Sequence, residues 1–129
     1  MVRHMYKVLI VDDHPIVRRG LRDIINEIDG FETIGEAGNG IESLRFLQNH
    51  DVDIITLDIS MPGHNGIQIL DQINNLYPGT KVLILSMYPE KHYALRAFRS
   101  GAYGYITKDN ITDDLSAALI KISEGQRYV

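Results

Sequence analysis

Asp12, Asp13, Asp58, Ser86 and Lys108 stand at or just past the downstream ends of four short apolar runs. The runs are V-L-I-V at 8–11 before Asp12 and Asp13, I-I-T-L at 54–57 before Asp58, V-L-I-L at 82–85 before Ser86, and Y-G-Y-I at 103–106 before Thr107 and Lys108. If the runs are parallel strands, these groups emerge at one edge of one sheet, where open α/β sheets place their ligand sites. Carboxylates gathered there repel one another unless a cation neutralises them. Mg2+ suits such a cluster: it takes oxygen ligands, keeps several waters and is held by one or two carboxylates plus a phosphate, whereas Ca2+ wants more protein ligands. On its own, an Asp-Asp pair more often merely ends a strand or caps a helix, since acidic residues are common in turns. Asp58 adds a different chemistry, because a carboxylate following a buried strand can act as a nucleophile and carry a phosphoryl group. That attack needs the phosphoryl oxygens neutralised, which a metal and a lysine such as Lys108 supply. Ser86 could donate a hydrogen bond to the same group.

The elements that must position these residues are legible as alternating patterns. Strand-like runs alternate with helix-like ones throughout, the signature of βαβ units and a parallel sheet, and five units are counted. The first helix is expected from about Pro15, with Val17, Gly20, Leu21, Ile24 and Ile28 on its core face, Ile16 and Ile25 off it, and Gly30 as its stop. The second begins at Asn39 with Glu42 as a capping-box partner and carries Ile41, Leu44 and Leu47. The third spans about 65–76, the fourth about 90–100, and the fifth Ile111 to Glu124 with Leu115, Ala118, Leu119 and Ile122 at core spacing and Ile120 outside it. Runs 8–11, 54–57 and 82–85 are continuously apolar apart from Thr56, as in strands covered on both faces, while 32–37 and 103–106 are mixed and suit edges. The expected fold is therefore an α/β, flavodoxin-like (βα)5 doubly wound parallel sheet of order 2-1-3-4-5, with its switch point between strands one and three.

Composition narrows the function classes. At 129 residues the chain fits one domain. With no cysteine there are no disulfides, thiol chemistry or cysteine-type zinc sites. The histidines, at 4, 14, 50, 64 and 92, show no helical ligand spacing and read as surface residues. A net charge of -4 with dispersed Lys and Arg leaves no electrostatic footprint for nucleic acid. No apolar stretch approaches a membrane span, so a cytoplasmic protein with no membrane partner is expected. Residues 1–5 are expected to be a disordered N-terminus or cloning remnant, and 127–129 the start of a linker.

The segments V-D-D-H-P, L-D-I-S-M-P-G-x-x-G and G-A-Y-G-Y-I-T-K together closely resemble the receiver domain of bacterial two-component response regulators, over about Tyr6 to Gln126. Within that family, D-D-H-P-I-V-R-R-G-L, the Lys108-Asp109 pair and the terminal E-G-Q-R-Y-V resemble the branch whose receivers precede a helix-turn-helix DNA-binding domain, which is absent from this chain. The resemblance implies that Asp58 is the phosphoacceptor, taking its phosphoryl group from a histidine kinase or phosphotransfer protein. It makes Asp12, Asp13, Asp58 and the backbone carbonyl of Ser60 the Mg2+ ligands. Lys108 would contact the phosphoryl group, Ser86 would move to bond it, and the rotamer of Tyr105 would follow. Met61, Pro62 and Gly66 match the loop after the acceptor, Gly66 lending backbone freedom. Ser60 and Tyr88 match positions that influence the lifetime of the phosphorylated state, with Tyr88 obstructing attacking water. Asp109 replaces a proline often joined by a cis bond, so a trans bond is expected. The resemblance further implies a homodimer on phosphorylation and contact with DNA only through the absent output domain. The chemistry is self-modification rather than enzymatic turnover.

Two other readings share the fold. A degenerate receiver could act as a constitutive interaction module, against which the intact Asp12, Asp13, Asp58, Ser86 and Lys108 set argues. A flavin carrier would need a phosphate-cradling Gly-rich turn after strand one, where Asp13-His14-Pro15 stands instead.

Overall fold

The computed structural model describes residues 5–59, 66–87 and 91–128. Strands and helices alternate along it: β1 (Tyr6–Val11), α1 (Pro15–Glu27), β2 (Phe31–Ala37), α2 (Gly40–Asn49), β3 (Ile54–Asp58), α3 (Gly66–Leu76), β4 (Lys81–Ser86), α4 (Lys91–Arg99), β5 (Gly104–Thr107) and α5 (Ile111–Ser123). Every strand pairing is parallel, and the sheet order is β2-β1-β3-β4-β5. This is the doubly wound order expected from the run compositions.

Alternation along each strand divides the core into two layers. Val8, Ile10, Ile54, Leu83 and Leu85 pack with Leu21 and Ile25 of α1 and with Leu115, Ala118, Leu119 and Ile122 of α5. Leu9, Val11, Ile55, Leu57, Val82 and Ile84 pack instead with Leu47 of α2, Leu70 and Ile73 of α3 and Ala97 of α4. Both faces of β1, β3 and β4 are thus covered, which is why their central residues are apolar apart from the buried Thr56. Each of β2 and β5 keeps several half-buried positions, as edge strands do.

Local signals largely set the helix ends. Pro15 opens α1, and Asn39 caps α2 by accepting the Glu42 N–H at 2.9 Å. Glu42 closes the reciprocal bond one residue earlier than in a standard capping box, accepting from the Gly38 N–H at 2.6 Å. Gly30 and Gly101, which follow α1 and α4, have φ of 88° and 101°, a conformation that disfavours any residue with a Cβ.

Three expectations need correction. The buried stripe of α1 is centred on Leu21 and Ile25, so Ile25 is core, Gly20 is exposed, and Ile16 alone of the two isoleucines projects outward. Because α1 packs across the edge of the sheet, covering β1 and β2, its apolar arc is rotated from the one that sequence spacing favours. On α2, Ile41 is exposed and Ser43 is buried in its place, its hydroxyl donating to the Gly40 carbonyl at 2.6 Å. Gly66 is not in a left-handed conformation; a Cβ there would lie 2.7 Å from Ile59 Cα, so close approach at the start of α3 is what demands glycine. Beyond α5, Tyr128 bridges to Gly104, donating its N–H to the Tyr103 carbonyl at 2.7 Å and its hydroxyl to Asp114 at 3.1 Å.

Ile25→Ala is expected to cost about 2–5 kcal/mol in urea denaturation, whereas Ile16→Ala should stay within about 0.5 kcal/mol of wild type. Equal losses at the two positions would show that α1 is seated differently.

Candidate functional site

Parallel strands bring their C-terminal ends to one edge, and the crevice opens where successive crossovers leave for opposite faces. Here α1 lies on one face and α3 on the other, so the opening falls between β1 and β3. Asp58 is the last residue of β3 and Asp12 the first after β1, and both are completely buried.

Lys108 joins them. It sits on the 3-10 turn Lys108–Asn110 that follows β5, and its Nζ donates to Asp58 Oδ2 at 3.0 Å and to Asp12 Oδ2 at 3.2 Å. Since β4 lies between β5 and β3, the ammonium reaches past the end of β4 to make these bonds. Burial acts to lower the Lys108 pKa, but the hydrogen bond and charge of Asp58, with the charge and hydrogen bond of Asp12, outweigh it and hold the pKa above its ordinary value. The Lys108-Asp109 bond is trans, since no cis bond occurs among the described residues.

Asp13 completes the acidic group. Its Oδ1 is buried and accepts no well-formed hydrogen bond among the described residues, although the His14 imidazole lies beside it. His14 Nδ1 lies 2.9 Å from that oxygen and equally close to Asp12 Oδ1, which also accepts the His14 N–H at 2.8 Å. One ligand atom from each of Asp12, Asp13, His14 and Asp58 falls within 4.8 Å of the others. A buried carboxylate oxygen short of hydrogen bonds is costly, so its presence beside two further carboxylates fits a cation-binding cluster.

Ser86 is buried at the end of β4, opposite Thr107 in register and one residue past Leu85, the partner of Asp58. Tyr105 lies on β5, partly buried against the α2–α4 layer. The expected residues Ser60, Met61, Pro62 and Tyr88 lie outside the described residues. His14 is exposed, as expected of a surface residue, but sequence reasoning missed that its ring sits against Asp12 and Asp13, although its position directly after the acidic pair was a usable signal. It also missed Arg18, whose Nη1 donates to the Asp12 carbonyl at 2.5 Å, and Glu36, which accepts from Arg18 Nε at 3.1 Å. No local pattern marks that pair, because β2 supplies one member and α1 the other.

Residues 8–120 match the family model of the response regulator receiver domain. The chain belongs to that family. It is 36% identical over 124 residues to the oxygen regulatory protein NreC of Staphylococcus epidermidis, covering 95% of this chain and 57% of that protein. A LuxR-family two-component response regulator from Aurantimonas superposes with a TM-score of 0.92 at 34% identity, over 97% of this chain and 89% of that one. The isolated receiver domain of RcsB from Salmonella enterica, solved with the phosphomimetic BeF3-, superposes with a TM-score of 0.90 at 25% identity, over 98% and 94%. The receiver thus spans little more than half the length of the curated relatives it matches. Among its described residues no helix is long and apolar enough to cross a membrane.

Because the folded pKa of Lys108 lies above the unfolded one, the stability from its pairing is complete below the ordinary value of 10.5 and is lost as pH rises through the raised value. An NMR titration following the Lys108 side-chain Cε is expected to show a midpoint above 10.5. A midpoint at or below that value would mean that the two aspartates do not hold the ammonium.

Proposed function

We propose that this receiver is a phosphorylation-dependent switch of a two-component system, accepting a phosphoryl group on Asp58 from the phosphohistidine of a histidine kinase or phosphotransfer protein. The observation that carries the reading is a buried strand-end carboxylate sharing one ammonium with Asp12, with a third carboxylate, that of Asp13, beside them. A carboxylate oxygen of Asp58 forms the new bond to phosphorus, the bond from phosphorus to the donor imidazole breaks, and the imidazole leaves. Lys108 stabilises the charge on the transferring oxygens. Asp12, Asp13 and Asp58, with the backbone carbonyl of Ser60, would hold Mg2+. When bound, that ion relieves the repulsion among the carboxylates and neutralises phosphoryl oxygens. The chemistry ends in modification of the chain itself.

The relay begins at Ser86, whose strand lies between that of the acceptor and that leading to the lysine. A hydrogen bond from its hydroxyl to the phosphoryl group draws the end of β4 inward, and Tyr105 on the adjacent strand turns toward the core. This is a two-state element biased by a local contact. The changed surface favours a homodimer through α1 or α5, where Ile16 and Ile120 are exposed at 87% and 44%. We take residues 6–126 as the receiver unit and 127–129 as the start of a linker, with Tyr128 still tied to Tyr103 and Asp114. Kinship with a LuxR-family regulator supports transcription as the output, exerted in the cytoplasm through a DNA-binding region outside these residues.

Incubation with acetyl phosphate and Mg2+ should add one phosphoryl group by intact mass, and neither Asp58→Asn nor wild type in excess chelator should gain it. Labelling of Asp58→Asn at the wild-type rate would move the acceptor elsewhere, and equal labelling in chelator would remove the metal.

With beryllofluoride, the wild type is expected to sediment as a dimer and to shift its amide resonances over residues 94–107. Ser86→Ala should keep shifts near Asp58 but lose most of those over 94–107. A wild type that stays monomeric at high concentration would sink the dimer, and full distant shifts in Ser86→Ala would show that the hydroxyl is not the link.

A further inference from the structure

Arg18 lies in the first turn of α1, outside the acidic cluster, yet it holds the main chain on which the cluster is built. Its Nη1 donates to the Asp12 carbonyl at 2.5 Å and its Nε to Glu36 Oε1 at 3.1 Å. Arg22 pairs with the other Glu36 oxygen. On its opposite side, Asp12 donates its N–H to the Ala37 carbonyl at 3.0 Å. The peptide units on both sides of Asp12 are therefore tied to the end of β2, one directly and one through Arg18.

We infer that Arg18, braced by Glu36, is a positioning residue that sets the directions of the cation ligands Asp12 and Asp13. The carbonyl that it grips belongs to the peptide joining those two residues, so fixing that plane fixes how both side chains leave the backbone. The guanidinium suits the task because its fork donates in two directions from one rigid plane. Both side chains are mostly shielded, at 20% and 22% exposure, so water competes weakly for the bonds.

Charge alone would predict the opposite effect. A guanidinium close to a cation site opposes the incoming ion, so removing it should tighten binding if charge were its only contribution. Loss of positioning should weaken binding, as substitutions behind metal ligands do by about 10–100-fold. The sign of the change therefore separates the two.

The inference rests on the cation reading above, and one experiment separates their failures. Amide resonances of Asp12, Asp13 and Ile59 are followed while MgCl2 is titrated into wild type, Arg18→Gln and Arg18→Lys. Saturable shifts are expected in wild type, with affinity about tenfold weaker in Arg18→Gln. Arg18→Lys should also bind more weakly, since it keeps the charge but a single ammonium cannot reproduce the planar two-way fork. The same spectra report folding, and if Arg18→Gln does not fold, Arg18→Lys decides. Wild-type binding matched or exceeded by a folded variant would overturn the role of Arg18 and leave the cation reading standing. Absence of saturable shifts in wild type would overturn the cation reading, and this inference with it.

Discussion

Two carboxylates, Asp12 and Asp58, are wholly buried beside a third at one sheet edge, and the one ammonium bonded to both comes from the far side of β4. Buried charge is tolerated only when it is paired and hydrogen-bonded. Lys108 meets that need in part, leaving more acid than base at the crevice. That surplus is what the proposed cation would neutralise, and through it the oxygens of a phosphoryl group. The remaining features either hold these groups in place or respond to their charge.

Holding them requires a rigid scaffold, and the two-layer core provides it. Continuous burial of β1, β3 and β4 leaves little freedom at the strand ends from which Asp12, Asp58 and Ser86 emerge. Close approaches tighten the same edge. A Cβ on Gly40 would fall 2.4 Å from Ile69 Cδ1, so the start of α2 sits directly against α3. Gly66 against Ile59 does likewise just beyond Asp58. The loop after β1 lacks such packing and is tied instead by Asp12, His14, Arg18 and Glu36, which makes its geometry a matter of polar contacts.

The side of the site toward β4 and β5 is built differently. Ser86 and Thr107 are register partners, Tyr105 is only partly buried, and β5 is a short edge strand. Fewer buried neighbours mean a lower cost for local rearrangement. Tyr128 covers part of the outer edge of β5 by bonding to the Tyr103 carbonyl. Tyr128 therefore touches the strand that the proposed relay would move.

Much of this was legible in the chain itself. Nearly continuous apolar runs identified the central strands, and because parallel strands all end on one side, the residues following those runs had to share an edge. Asn39, Gly30 and the stripe from Leu115 to Ile122 marked helix ends and a buried face through local backbone chemistry and period alone. What the chain could not disclose depended on contacts between residues far apart in sequence. The choice of Ile25 over Ile16 came from where α1 lies across β1 and β2, which periodicity leaves free to rotate. The need for glycine at position 66 came from Ile59 pressing against it, and the grip of Arg18 on Asp12 from Glu36 on a neighbouring strand. Local sequence determined which residues reach the site; strand order and packing decided which of them touch.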